Sequence, residues 1–75
     1  MTGLPAVSGG TVISALSRHG WVIRSHRGSH VKMVKPGVRH PIIVPVHGGE
    51  TIPKGTLRNI IRAAGLTIEE FVALL

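Results

Sequence analysis

The segment Arg27-Gly28-Ser29-His30 is where this chain is best equipped for chemistry. It reads as a turn that leads a histidine into a strand. Gly28 has no side chain, so a phosphate could approach the backbone beside the histidine closely. Histidine, with an ordinary pKa of ~6.5, can give or take a proton near neutrality. The plainer reading is a hairpin glycine followed by a half-exposed histidine, and local sequence alone leaves both open. The surrounding inventory favours proton transfer at a phosphodiester. Cutting RNA needs a base for the 2′-hydroxyl, an acid for the leaving oxygen, and cations for the charge that builds on phosphorus. Arg27 and Lys32 flank His30 and could steady that charge.

The acids are as informative as the histidine. The only carboxylates are Glu50, Glu69 and Glu70. Two-metal nucleases hold their ions with clustered carboxylates. Glu70 reads as a helix-capping residue, and Glu69 complements the positive start of the same helix. No carboxylate cluster is left to bind Mg²⁺, so the composition fits acid–base chemistry without a metal cofactor.

A second constellation is Lys54, Arg58 and Arg62, spaced i, i+4, i+8. On a helix they share ~80° of arc beside the apolar stripe. Lys54 falls in the first turn, where free backbone N–H groups also favour phosphate. Such a stripe can equally be a solvated helix face, but no Glu within the helix partners it at i±4 (Glu50, four before Lys54, falls in the preceding loop), which points to phosphate contact. The five histidines are His19, His26, His30, His40 and His47. Neither His26 with His30 nor His40 with His47 lies on a helix at metal-binding spacing, so no metal site is expected. His47 reads as an auxiliary group or a polar strand terminus, the second being preferred.

With 75 residues the chain is a single domain, residues 1–75, with room for one thin core and one surface site. Nine Lys and Arg against three acids give a net charge of +6, the signature of a polyanionic partner. No apolar run is long enough to span a bilayer, so nucleic acid is a better partner than a membrane. There is no cysteine, hence no disulfide or thiolate–metal framework, and no secretory leader is legible. A cytoplasmic location follows by default. Trp21 and Phe71 are the only Trp, Tyr or Phe residues, too few for a base-stacking platform. Backbone charge and shape must carry recognition.

The elements that must position these groups follow from periodicity. Ser8 is the N-cap of a first helix bearing Val12, Ile13 and Leu16, closed by Gly20, with Val7 and Val12 as a staple. Gly9 and Gly10 are expected to weaken its first turn. Strands are expected over Trp21–His26, Ser29–Lys35 and Ile42–Val46, with turns at Arg27-Gly28 and Pro36-Gly37. In the second, His30, Lys32 and Val34 share one face and Val31 and Met33 the other. A one-residue slip would swap the faces, so the register stays open. Pro45 suits an edge strand or a strand end. A second helix from near Pro53 aligns Leu57, Ile60, Ile61 and Ala64 and stops at Gly65. Thr67 and Glu70 form a capping box, and Leu66 and Phe71 a staple, for a short last helix. Trp21, at a helix-to-strand junction, is a core residue. The fold class is α+β, in the order α-β-β-β-α with a short C-terminal helix and a three-stranded antiparallel sheet.

These segments resemble, in order and over nearly the whole chain, the HicA family of bacterial toxins. The matching pieces are Leu4-Pro5, Ser8-Gly9, His19-Gly20-Trp21, Arg27-Gly28-Ser29-His30, Val44-Pro45-Val46-His47 and Pro53-Lys54-Gly55-Thr56-Leu57-Arg58. They continue through Ile60-Ile61 and Ala64-Gly65-Leu66 to Glu69-Glu70-Phe71. The resemblance implies a double-stranded-RNA-binding-domain-like fold and a type II toxin that cleaves messenger RNA in the cytoplasm without a metal or other cofactor. It implies a HicB-type antitoxin as protein partner. The family's catalytic histidine falls on His30, and its positively charged helix on the Lys54–Arg58 segment. The candidate site is thus His30 for catalysis, with Arg27, Gly28, Ser29, Lys32, Lys54, Arg58 and Arg62 for RNA. The alternative is a non-catalytic double-stranded-RNA-binding module of the same fold. In two places the chain departs from its relatives. Gly10-Thr11 replaces a charged pair, which removes a capping box from the first helix, and the link Val38-Arg39-His40-Pro41 is more basic than usual.

Overall fold

A computed structural model describes residues 3–75. Its elements are α1 (Gly9–Arg18), β1 (Val22–Arg27), β2 (His30–Val34), β3 (Ile42–Pro45), α2 (Lys54–Ala63) and α3 (Ile68–Ala73). The three strands form one antiparallel sheet in the order β1-β2-β3. This is the α+β order expected from the sequence. Among the described residues no helix is long and apolar enough to cross a membrane.

The Ser8 hydroxyl accepts from the Thr11 amide at 3.3 Å and starts α1, so the cap survives the Gly10-Thr11 departure. Gly9 has a role beyond its low helix propensity. It does not merely loosen the first turn; it is buried against β3, and a Cβ there would collide with the Pro45 carbonyl oxygen and come within 2.9 Å of Val46 Cγ2. The strands shift by a residue from expectation. Trp21 precedes β1 and is 1% exposed, as the core reading required, and the first turn is Gly28-Ser29 rather than Arg27-Gly28.

Val31, Met33, Ile42 and Val44 project from one face of the sheet into the core. There they meet Val12, Ala15 and Leu16 of α1, Leu57, Ile60 and Ile61 of α2, Phe71 of α3, and Trp21 and Ile52. Each fully buried aliphatic or aromatic side chain contributes ~1.5–3 kcal/mol. The reciprocal Thr67–Glu70 capping box starts α3, with Glu70 Oε1 accepting from the Thr67 amide at 2.8 Å. Arg18 Nη1 donates to the Leu74 carbonyl at 2.9 Å and ties α3 back to α1. All three helices therefore cover one face of the sheet, and the other face is left open.

Candidate active site

His30 is the first residue of β2, and a two-residue loop places it there. Gly28 and Ser29 connect Arg27 to its cross-strand partner His30. Gly28 has φ +55° and, among the described residues, no non-glycine residue has a positive φ, so this conformation falls on a residue that tolerates it. Glycine at the first loop position with an ordinary residue second is the pattern of a II′ hairpin, whose twist matches the strands it joins. The Ser29 carbonyl accepts from the Val46 amide at 2.6 Å, pinning the hairpin tip to the end of β3. On its other side His30 is paired with Pro45, which lacks a donor and ends the edge strand.

The pleat of β2 turns His30 and Lys32 outward and Val31 and Met33 inward. Their cross-strand partners are Arg27 and Ser25 on β1, and Pro45 and Ile43 on β3. Together Ser25, Arg27, His30, Lys32 and Ile43 line an open cleft of ≈340 Å³. No carboxylate lines it. His30 thus sits between two cations on an exposed surface, with Ile43 offering an apolar wall. Such a surface can bind a phosphodiester, balance its charge and exchange a proton with it. Gly28 and Ser29, the loop residues before His30, are not among the residues that line it.

The helical cations do not join this cleft. Lys54, Arg58 and Arg62 are exposed on one flank of α2. Arg58 and Arg62 border a separate cleft of ≈290 Å³ with Leu66, Thr67 and Ile68 at the start of α3. The opposite flank of α2, with Thr56, Asn59 and Ala63, is the one that lies along Ile42 and Ile43 of β3. The expected RNA-contacting set is therefore two surfaces, one on the sheet and one on α2. The physical reason is that the apolar stripe of α2 faces the core side of the sheet, while His30 faces away from it.

The remaining histidines are dispersed. His26 is paired with Val31 on the side opposite His30. His47 lies beyond the end of β3 and lines a cleft of ≈250 Å³ with Glu50, Thr51 and Pro53, apart from His30. Among the described residues no three His, Asp or Glu side chains gather where they could hold a metal ion.

Sequence reasoning missed three features. Ile43 on the open face was hidden in an unbroken apolar run. Arg24 was left without a role because simple alternation sets it opposite Arg27. Ile52 was passed over between loop and helix, yet it is 3% exposed and its amide donates to the Val7 carbonyl at 2.9 Å. Only Ile52 had a local signal, an apolar residue just before a helix-starting proline.

Comparison with known proteins finds a matching family and a similar solved structure. A family described as the HicA toxin of bacterial toxin–antitoxin systems matches residues 9–66. A solved structure described as a toxin–antitoxin complex from Streptococcus pneumoniae contains a chain 40% identical to this one. The alignment covers 83% of this chain and 100% of that chain, with a TM-score of 0.67. No curated protein matches.

Proposed function

Because the chain belongs to the HicA toxin family, we propose that it is the toxin of a type II toxin–antitoxin module and acts as an endoribonuclease on messenger RNA, with His30 in the chemical step. The observation that carries this reading is the open cleft in which His30 stands between Arg27 and Lys32 with no carboxylate beside it. A phosphodiester laid there meets two positive charges and one group able to move protons.

The reaction is a transesterification that needs no metal. The 2′-hydroxyl loses its proton as O2′ bonds to phosphorus. The bond from phosphorus to the 5′-oxygen breaks, and that oxygen takes up a proton. The products are a 2′,3′-cyclic phosphate and a 5′-hydroxyl. His30 serves as the base that takes the first proton or as the acid that supplies the second. Arg27 and Lys32 offset the negative charge on the non-bridging oxygens, the contribution that usually dominates such catalysis. Gly28 and Ser29 leave the backbone of the turn before His30 accessible to the substrate, and Lys54, Arg58 and Arg62 bind backbone phosphates at the second surface.

A HicB-type antitoxin is the protein partner, and the cytoplasm, where messenger RNA and antitoxin meet, is the place of action. The relative from Streptococcus pneumoniae is described in a toxin–antitoxin complex, which supports such a partner here. The test is RNA cleavage by folded His30→Ala protein against the unsubstituted protein. Loss of cutting with RNA binding retained supports the reading. Near-equal cutting removes His30 from the chemistry, and an unsubstituted protein that binds RNA without cutting it returns the fold to a non-catalytic RNA-binding module.

A further inference from the structure

The cleft that holds His30 has a neighbour on the same open face. A second cleft of ≈220 Å³ is lined by Arg24, Lys32, Val34, Val38, Arg39 and Pro41. Lys32 borders both clefts, so the two adjoin. None of the three carboxylates of the chain lines either one. Four cations, Arg24, Arg27, Lys32 and Arg39, therefore ring one continuous surface without a counter-charge among the lining residues.

Arg24 reaches this face because of an irregularity in the sheet. Val22 pairs with Val34 and Ile23 with Met33, but the next paired residue is Ser25, with Lys32, and the register shifts across Arg24. A bulge of this kind places two residues opposite one and re-aims the side chains that follow. Arg24 and Arg27 are separated by three positions, so an unbroken strand would send them to opposite faces. With the bulge, Arg24 borders the second cleft while Arg27 lines the first. Arg39 arrives independently. Gly37, at φ +83°, and the Val38 amide donating to the Lys35 carbonyl at 3.0 Å turn the β2–β3 link back. The link between β2 and β3 thus delivers a cation to the same place.

We propose that this second cleft is a phosphate subsite, in which Arg24, Lys32 and Arg39 bind the backbone of the single RNA strand whose scissile phosphate lies at His30. The proposal rests on the ribonuclease reading above. Lys32 stands two residues along β2 from His30, ~7 Å at the rise of a strand. That is the scale of one backbone step of an extended strand, so adjacent phosphates can occupy adjacent clefts. Arginine offers a planar fork of donors matched to phosphate oxygens. The apolar lining of Val34, Val38 and Pro41 suits ribose carbons, which favours a nucleic-acid strand over a free anion.

The experiment compares the Arg24→Gln/Arg39→Gln double variant with the unsubstituted protein on a dinucleotide and on a single strand of about eight nucleotides. Binding of the same longer strand, made uncleavable by 2′-deoxy substitution, is titrated against salt. In the double variant the advantage of the long strand over the dinucleotide in kcat/KM shrinks about tenfold or more. The slope of log affinity against log salt falls by ~0.7 for each lost contact. The Arg24→Lys/Arg39→Lys variant, which keeps the charge, retains most of the slope. Equal losses on both substrates, or an unchanged slope, overturn the subsite. So does an unchanged RNA slope with lost affinity for a polyglutamate peptide, which would make the cleft a protein-docking surface. A protein that shows the two-arginine slope on the uncleavable strand but cuts no RNA keeps the subsite and removes the catalytic reading.

Discussion

Gly9 of α1 lies directly against the carbonyl of Pro45, and Pro45 is the cross-strand partner of His30. A close approach of α1 to the sheet therefore occurs at the residue paired with the candidate catalytic histidine. Its two neighbouring glycines should respond to substitution with opposite signs. Gly9→Ala forces a Cβ into the Pro45 carbonyl and should cost ~1–3 kcal/mol. At this chain length each kcal/mol lowers the melting temperature by ~4–8 °C. Gly10→Ala meets nothing nearer than the Ser8 hydroxyl at 4.0 Å and should gain up to ~1 kcal/mol of helix propensity. Thermal melts of the two variants decide it, and equal shifts would refute the close packing.

His30→Ala should separate chemistry from folding. The side chain is exposed at the start of a strand, so its loss should cost within ~1 kcal/mol. Removal of one proton-transferring group lowers a rate by ~10²–10⁴, enough to relieve toxicity on expression. Circular dichroism establishes the fold of the variant, and single-turnover RNA cleavage reads the rate.

Cutting should persist in excess EDTA and yield 2′,3′-cyclic phosphate ends. The motive is that the described residues gather no metal-holding group and the sequence has only three carboxylates. Activity abolished by the chelator and restored by Mg²⁺ or Zn²⁺ would refute the metal-free mechanism.

The flank of α2 should act as a separate electrostatic surface. Lys54→Ala and Arg58→Ala are each expected to weaken RNA binding regardless of sequence and to flatten its salt dependence by ~0.7–0.9 per lost contact. Since Arg58 borders a different cleft from His30, these losses should appear in KM and in the salt slope. If neither variant changes the slope, RNA does not touch α2.

The antitoxin should be acidic where it meets this chain and should cover His30. The net charge of +6 and the open, lidless face around His30 motivate this. A structure of the complex with His30 open to solvent would exclude simple occlusion of the cleft.

Much of this fold is local in origin and was legible in the residues. The Ser8 cap, the Thr67–Glu70 box and the 3.6-residue stripe of Leu57, Ile60 and Ile61 each depend on groups within one or two helical turns. The alternation of β2 likewise showed that His30 and Lys32 share a face, because a pleat repeats every two residues. Three matters depended on partners distant in sequence. Whether Gly9 loosens a helix or admits a strand is decided by Pro45, 36 positions away, and no local propensity contains that contact. Whether Lys54, Arg58 and Arg62 meet His30 depends on which side of the sheet α2 packs, and burial of its apolar stripe turns the flank away. Arg24 joins Arg27 on the open face only because the ladder to β2 slips at the bulge. A bulge belongs to a pair of strands rather than to either one, so one strand's sequence carries the period while the pairing sets where that period breaks.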